Sequence, residues 1–226
     1  ISQGTGTGYA NYTVTQQTGL TGAVTAKALT VTGSVAGAST QVYNGTTNTA
    51  ALTGTAAFQT GETEGTGTTS DGKFYTIDSI VIGGTASGAL ADRNVGPTKA
   101  ITVTGVTATG TGNTNYTVTQ QTGLTVTVTE KAITVSGITA SGTQIYNGTL
   151  NVTAAFGGTA AFQASEAAGA GTTGDGKYYD VDTITLTGTP SGTFADRNVG
   201  PTKSITITGI SQGTGTGYAN YTVTQQ

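Results

Sequence analysis

Few side chains in this 226-residue chain could do chemistry. It contains no Cys, His, Met or Trp, and charged residues make up 8% of it. Without Cys, disulfides, zinc thiolates and thiol nucleophiles are excluded. Without His, the commonest general base and transition-metal ligand is missing. The densest carboxylate group is Asp175, Asp180 and Asp182, which suggests calcium, an ion that takes roughly six to eight oxygens. Asp180 and Asp182 would share one face of an expected strand. The corresponding stretch earlier in the chain keeps only Asp71 and Asp78, with Tyr75-Thr76 where Tyr179-Asp180 stand. A solvated strand face is therefore the reading taken, with no metal and no other cofactor.

Two further groups occur twice. Asp92-Arg93-Asn94 leads through Val-Gly to Pro97, and Asp196-Arg197-Asn198 leads in the same way to Pro201. An Arg beside an Asp is expected to clamp the loop by charge-assisted hydrogen bonds, with a ligand site as the sharper alternative. Tyr43-Asn44-Gly45 and Tyr146-Asn147-Gly148 carry the Asn-Gly turn signal, since both residues tolerate positive φ. Their Tyr rings could stack on sugars; the blander expectation is a Tyr that plugs the end of a sandwich and bonds through its hydroxyl. All fourteen positions, Tyr43 to Gly45, Asp92 to Asn94 and Pro97 with their second copies, are read as structural. Lys27 and Lys131 open a strand, and an isopeptide bond to Asn94 or Asn115 is supported by residue type alone. The Asn-X-Thr sequons and Thr-X-Thr runs are those expected by chance in a Thr-rich chain. No acid pair suited to hydrolysis recurs in both copies, so an enzyme is not expected.

The elements that must position these groups are legible from duplication. Ala195–Lys203 repeats Ala91–Lys99 letter for letter at an offset of 104, and residues 1–17 recur unaltered as 210–226. The chain reads as a piece of a tandem array: residues 1–26 a C-terminal fragment of a preceding repeat, 27–129 a first full repeat, 130–226 a second. Thr and Gly supply 92 residues. Thr suits strands and Gly suits turns, whereas good helix formers are scarce. Alternation such as Ala28-Leu-Thr-Val-Thr-Gly33 and Ala132-Ile-Thr-Val-Ser-Gly137 marks half-buried strands. Thr55–Gln59 and Thr159–Gln163 read as a second strand. Phe74–Ile82 and Tyr178–Leu186 read as the longest, followed by a short one near Gly88–Leu90. The predicted fold is all-β, Ig-like β-sandwiches arranged end to end. Only Gln120–Gly123 and Glu130-Lys131 lie at the joint, with no flexible linker, so the array is expected to be semi-rigid, with a small contact between neighbours.

The Leu-Thr-Val-Thr-Gly33 opening, the Tyr-Asn-Gly-Thr turn, the Ala-Asp-Arg-Asn-Val-Gly loop and the Asn-Tyr-Thr-Val-Thr close, followed by Gln-Thr-Gly-Leu-Thr, resemble YDG/MBG-type repeats. Such repeats occur in very large bacterial surface and secreted proteins, including filamentous-haemagglutinin-like adhesins. The resemblance covers nearly all of both copies. Asn44 and Asn147 stand where that family usually has Asp, which keeps the turn chemistry and drops a carboxylate. The resemblance implies an extracellular or cell-surface stalk or filament repeat, with no catalytic residues to carry over. Its partners would be neighbouring repeats and other copies of the same chain. The alternative is a glycan- or matrix-binding module with a loop on each repeat. The net charge of −3 offers no basic patch for nucleic acid, and no apolar run is long enough to span a membrane. Residues 1–17 are expected to pair with the first repeat or with a neighbouring chain by strand addition.

Overall fold

Alternating Thr and aliphatic residues give twelve strands in the computed structural model, which describes residues 2–35, 40–48, 52–140 and 142–225. Ile1 and Gln226, the outermost residues of the duplicated ends, lie outside these. In the first unit the strands are β1 (Lys27–Val35), β2 (Thr40–Val42), β3 (Thr53–Phe58), β4 (Val81–Leu90), β5 (Gly96–Thr109), β6 (Tyr116–Thr119) and β7 (Thr125–Thr129). The second unit has β8 (Lys131–Ala140), β9 (Phe156–Phe162), β10 (Leu186–Phe194), β11 (Ile205–Gln212) and β12 (Tyr221–Thr224). Helical structure among the described residues is limited to three-residue 3-10 turns at Tyr9–Asn11, Asn113–Asn115 and Tyr218–Asn220. No described helix is long and apolar enough to cross a membrane.

The first unit is an Ig-like sandwich of two sheets, ordered β3-β1-β6 and β2-β7-β5-β4. β1 lies antiparallel to β3 and parallel to β6, with Leu29 opposite Val118. The second unit repeats the first sheet as β12-β8-β9, with Ile133 opposite Val223, but reduces the other to β10-β11. Burial follows the period of two: in β8, Lys131, Ile133 and Val135 point inward while Ala132 and Ser136 face out.

Two expectations need correction. Phe74–Ile82 and Tyr178–Leu186 are not strands. The Asp78 and Asp182 N–H groups each donate back to a carbonyl three residues earlier, Tyr75 and Tyr179, at 3.0 Å in both cases, turning the chain. The strands begin only at Val81 and Leu186 and absorb the expected short ones; the longest is β5. The turn wins because its Asp accepts, and its Tyr N–H donates, hydrogen bonds to groups far away in the chain. Residues 2–26 join no sheet among the described residues, so the duplicated N-terminal end does not pair with the first unit.

The contact between units is not small. The largest apolar cluster joins Tyr43, Leu90, Ile101, Val103, Val126 and Val128 of the first unit to Ile133, Tyr179 and Tyr221 of the second. Separate, smaller clusters sit around Val135 and Ile207 in the second unit and around Leu29 and Tyr116 in the first. A thin sandwich gains by sharing a core with its neighbour, because buried area grows faster than exposed surface.

Candidate functional site: the junction between units

Asp182 is the centre of the junction. Its side chain is fully buried, and three donors surround it. The Tyr43 hydroxyl donates to Oδ2 at 2.6 Å, the Tyr221 hydroxyl to the same oxygen at 2.7 Å, and Arg93 Nη2 to Oδ1 at 2.9 Å. Tyr43 and Arg93 come from the first unit, Tyr221 from the second. A buried carboxylate is costly unless its lone pairs are filled, and here neutral and charged donors fill them. Burial and then the Asp182 bond push the Tyr43 hydroxyl well above the ordinary tyrosine range. Burial also raises Tyr221; the Tyr179 N–H works against that rise and Asp182 adds to it. Both phenols therefore stay protonated and donate.

Each donor is placed by local structure. Asn44 Oδ1 accepts from the Thr46 N–H at 3.0 Å, closing an Asx turn that presents Tyr43. The Tyr43 N–H donates to the Thr129 carbonyl, the last residue of β7, at 2.8 Å. Its ring then stands edge-on to Tyr179 and Tyr221, with centroids 5.8 and 5.4 Å away. Gly45 has φ of 76°, and a Cβ there would lie 2.9 Å from Ala168 Cβ and 3.0 Å from the Tyr179 ring. Only glycine serves both the turn and the close approach. The Asn44 carbonyl accepts from the Gly169 N–H of the second unit at 2.8 Å. In the second loop, Asn94 Oδ1 accepts from Asn220 Nδ2 at 3.1 Å, and Asn220 Oδ1 accepts from the Val95 N–H at 2.9 Å. Pro97 lies exposed at the start of β5.

Arg93 is thus no internal clamp, contrary to expectation: it reaches across to Asp182 and to the Val181 carbonyl at 3.0 Å. Lys99 holds the loop instead, bonding Asp92 and, at 2.9 Å, the Asn94 carbonyl. Lys203 bonds Asp196 in the second copy. There Asp196 Oδ1 also accepts from the Asn198 N–H at 2.8 Å, and Asn147 Oδ1 from the Thr149 N–H at 3.0 Å. The loops are therefore shaped alike, but nothing is docked on them. Tyr146 is 62% exposed where Tyr43 is fully buried. Arg197 and Asn198 are exposed, as is Pro201, and a Cβ on Gly148 would meet nothing within 4 Å.

The strand-opening lysines anchor a second network. Lys131 Nζ lies 2.6 Å from Glu166, 2.9 Å from Asp175 and 4.4 Å above the Tyr179 ring centre. Lys27 repeats this with Glu62 at 2.5 Å, Asp71 at 2.9 Å and the Tyr75 ring at 4.2 Å. Burial lowers both ammonium groups, yet their carboxylate partners outweigh it and the net shift is upward. The lysines are committed to carboxylates, and neither is brought to Asn94 or Asn115 for an isopeptide bond. Asp175, Asp180 and Asp182 also part company: Asp175 goes to Lys131, Asp182 to the junction, and Asp180 is exposed. No three acidic side chains among the described residues group to hold a metal.

Asp182, Tyr179, Tyr221, Asn220 and Lys99 were not singled out as junction residues by sequence reasoning. The signal available was recurrence: each has a counterpart in the other unit, Asp78, Tyr75, Tyr116, Asn115 and Lys203. A family model described as YDG domain matches residues 25–123 and again 129–226. No curated protein and no solved structure matches the chain.

Proposed function

The chain belongs to the YDG domain family, two members in tandem, and from that premise we propose that it works mechanically and not as an enzyme: a semi-rigid spacer repeat of a large extracellular or cell-surface bacterial adhesin. The observation that carries this reading is the shared core at the junction. β7 completes a sheet of the first unit and a single residue, Glu130, separates it from β8 of the second. Bending there would uncover Tyr43 and Asp182 and separate Arg93 from its carboxylate, so each unit adds a fixed rise. Two-residue joints of flexible composition would not do this.

The test is solution scattering from arrays of two, four and six units. Support would be a maximum dimension that grows linearly with unit number; growth as the square root would show a flexible string and end the proposal. The rival reading, a glycan- or matrix-binding module, draws on the exposed Tyr146 and Arg197. Retention of the two-unit chain on a glycan array, abolished by Tyr146→Ala, would favour that reading over the spacer.

A further inference from the structure

Load carried along the backbone enters the first unit at Lys27, the first residue of β1, and leaves it by way of β6 and then β7. β1 and β6 lie side by side and parallel, with Lys27 opposite Tyr116, Ala28 opposite Thr117, Leu29 opposite Val118 and Thr30 opposite Thr119. The second unit has the same four pairs between β8 and β12, from Lys131 opposite Tyr221 to Thr134 opposite Thr224. In a parallel pair, the N-terminal end of one strand and the C-terminal end of the other lie at opposite ends of the ladder. A pull on the chain therefore slides the two strands past one another and loads all four pairs together. In an antiparallel pair, entry and exit would share one end, and the pairs would peel apart one at a time.

The pair that meets the load first is fastened on both sides in each unit. Lys27 is held by Glu62 and Asp71, and Lys131 by Glu166 and Asp175, all from outside the strand pair. Opposite Lys27, the Tyr116 hydroxyl accepts from the Tyr75 N–H at 3.0 Å and donates to Asp78 at 2.6 Å. Opposite Lys131, the Tyr221 hydroxyl accepts from the Tyr179 N–H at 3.0 Å and donates to Asp182 at 2.7 Å. Leu29, Lys131, Ile133 and Tyr221 are fully buried, which keeps water from replacing the ladder's hydrogen bonds as they stretch. In the first unit a second parallel ladder lies further along the same path, with Thr40, Gln41 and Val42 of β2 opposite Thr127, Val128 and Thr129 of β7. Only Glu130 separates its end from the pair that opens at Lys131.

We propose that these parallel pairs make each unit a tension-bearing element, a clamp loaded in shear, so that the chain resists being pulled out as well as setting a distance. Forced unfolding is governed by the rate of crossing the unfolding barrier and not by overall stability. A thinly cored sandwich rich in Thr and Gly can thus be modest in equilibrium stability and still strong along its length. The strength is directional. β4 and β5 are antiparallel, and Val81 and Thr109 are the pair at their open end, so a pull between those two residues breaks that ladder pair by pair. Thr187 of β10 and Ser211 of β11 offer the same direction in the second unit. The inference goes beyond the spacer reading and does not need a stiff joint: a flexible string of strong units would fail the scattering test and pass this one.

The test is single-molecule force spectroscopy of the whole chain, held first by its two termini and then by handles placed across an antiparallel pair. The chain has no Cys of its own, so Val81→Cys with Thr109→Cys, or Thr187→Cys with Ser211→Cys, gives unique attachment points when coupled in reduced form. All four side chains are exposed, and melting temperature reports that each pair leaves the fold intact. End-to-end pulling should break each unit at a force about two- to fourfold higher than pulling across β4 and β5 or across β10 and β11, fourfold being the limit for four pairs that share the load equally. Each end-to-end rupture should lengthen the chain by about 300 Å, the reach of roughly a hundred extended residues less their folded span. Equal forces in the two directions overturn the proposal, as does end-to-end yielding in steps much shorter than a unit. Stiff arrays in scattering combined with equal forces would leave the spacer reading standing and end this one.

Discussion

The two units carry the same motifs in the same order, yet among the described residues the second sheet has four strands in the first unit and two in the second. Tyr43 is buried and Tyr146 exposed; β5 runs fourteen residues and β11 eight. The Asx turns at Asn44 and Asn147 are nevertheless alike, and so are the loops held by Lys99 and Lys203. Turn chemistry is local and forms in either setting. Strand formation in 40–42 and 96–100 depends on β7 lying between them, and its counterparts at 143–145 and 200–204 lack that partner. The second sheet of the first unit is therefore completed by the strand that connects it to the second unit.

The sharpest way to break this contrast is at the buried acid. Asp182→Ala should cost about 3–5 kcal/mol, because it leaves Arg93 and two phenols facing an unfilled site. Asp78→Ala, which loses a single Tyr116 bond at a half-buried position, should cost about 1 kcal/mol. Chemical denaturation of the full chain reads both, and equal losses would mean the junction contributes nothing. Next comes the ring that fills it. Tyr43→Ala should cost about 3 kcal/mol and Tyr146→Ala less than about 0.5 kcal/mol, measured at concentrations below any self-association.

Much of this was legible in the residues. Alternation in Ala28–Gly33 and Ala132–Gly137, the Asn-Gly turns and the repeat offset led to an all-β tandem chain. The failures share one physical cause. Tyr178–Leu186 has a strand's period, but Asp182 and Tyr179 are engaged in hydrogen bonds to groups far away in the sequence, and a turn results. Arg93 looked like a partner for adjacent Asp92, yet Lys99 is the one that reaches Asp92, freeing Arg93 for Asp182, 89 positions later. A carboxylate's partner across a junction leaves no local period to read. The placement of Leu124–Thr129 as an inserted strand was hidden for the same reason, since its pairing partners lie in two separate segments.

Acid and base should weaken the chain from opposite sides. Bonds from Lys27, with the Lys73 N–H, hold Asp71 below the usual carboxylate range. Burial raises Asp175, but Lys131 and the Lys177 N–H prevail, and the net shift is down. The stability these acids bring is complete above about pH 4 and is lost as pH falls through their depressed folded values. Lys27, Lys131, Tyr43 and Tyr221 are all raised, so their contribution is complete below about pH 10 and disappears as pH rises further. Melting temperature should be level between those limits and fall outside them. A steady slope through neutral pH would show that these networks are not the titrating ones.

The finest comparison lies in a single methyl group. Gly45 and Gly148 hold φ of 76° and 77°, so alanine at either carries the same backbone strain, about 1 kcal/mol. At Gly148 the methyl group would enter open space, and strain is the whole effect. At Gly45 it would press on Ala168 and the Tyr179 ring and force Tyr43 away from Asp182. Gly45→Ala should therefore lose about 2 kcal/mol, roughly twice the loss of Gly148→Ala. Because strain cancels between the two variants, their difference isolates the closeness of the two units. Equal losses would mean that the second unit stands off from Gly45 in solution, and that the turn alone, not the junction, demands glycine there.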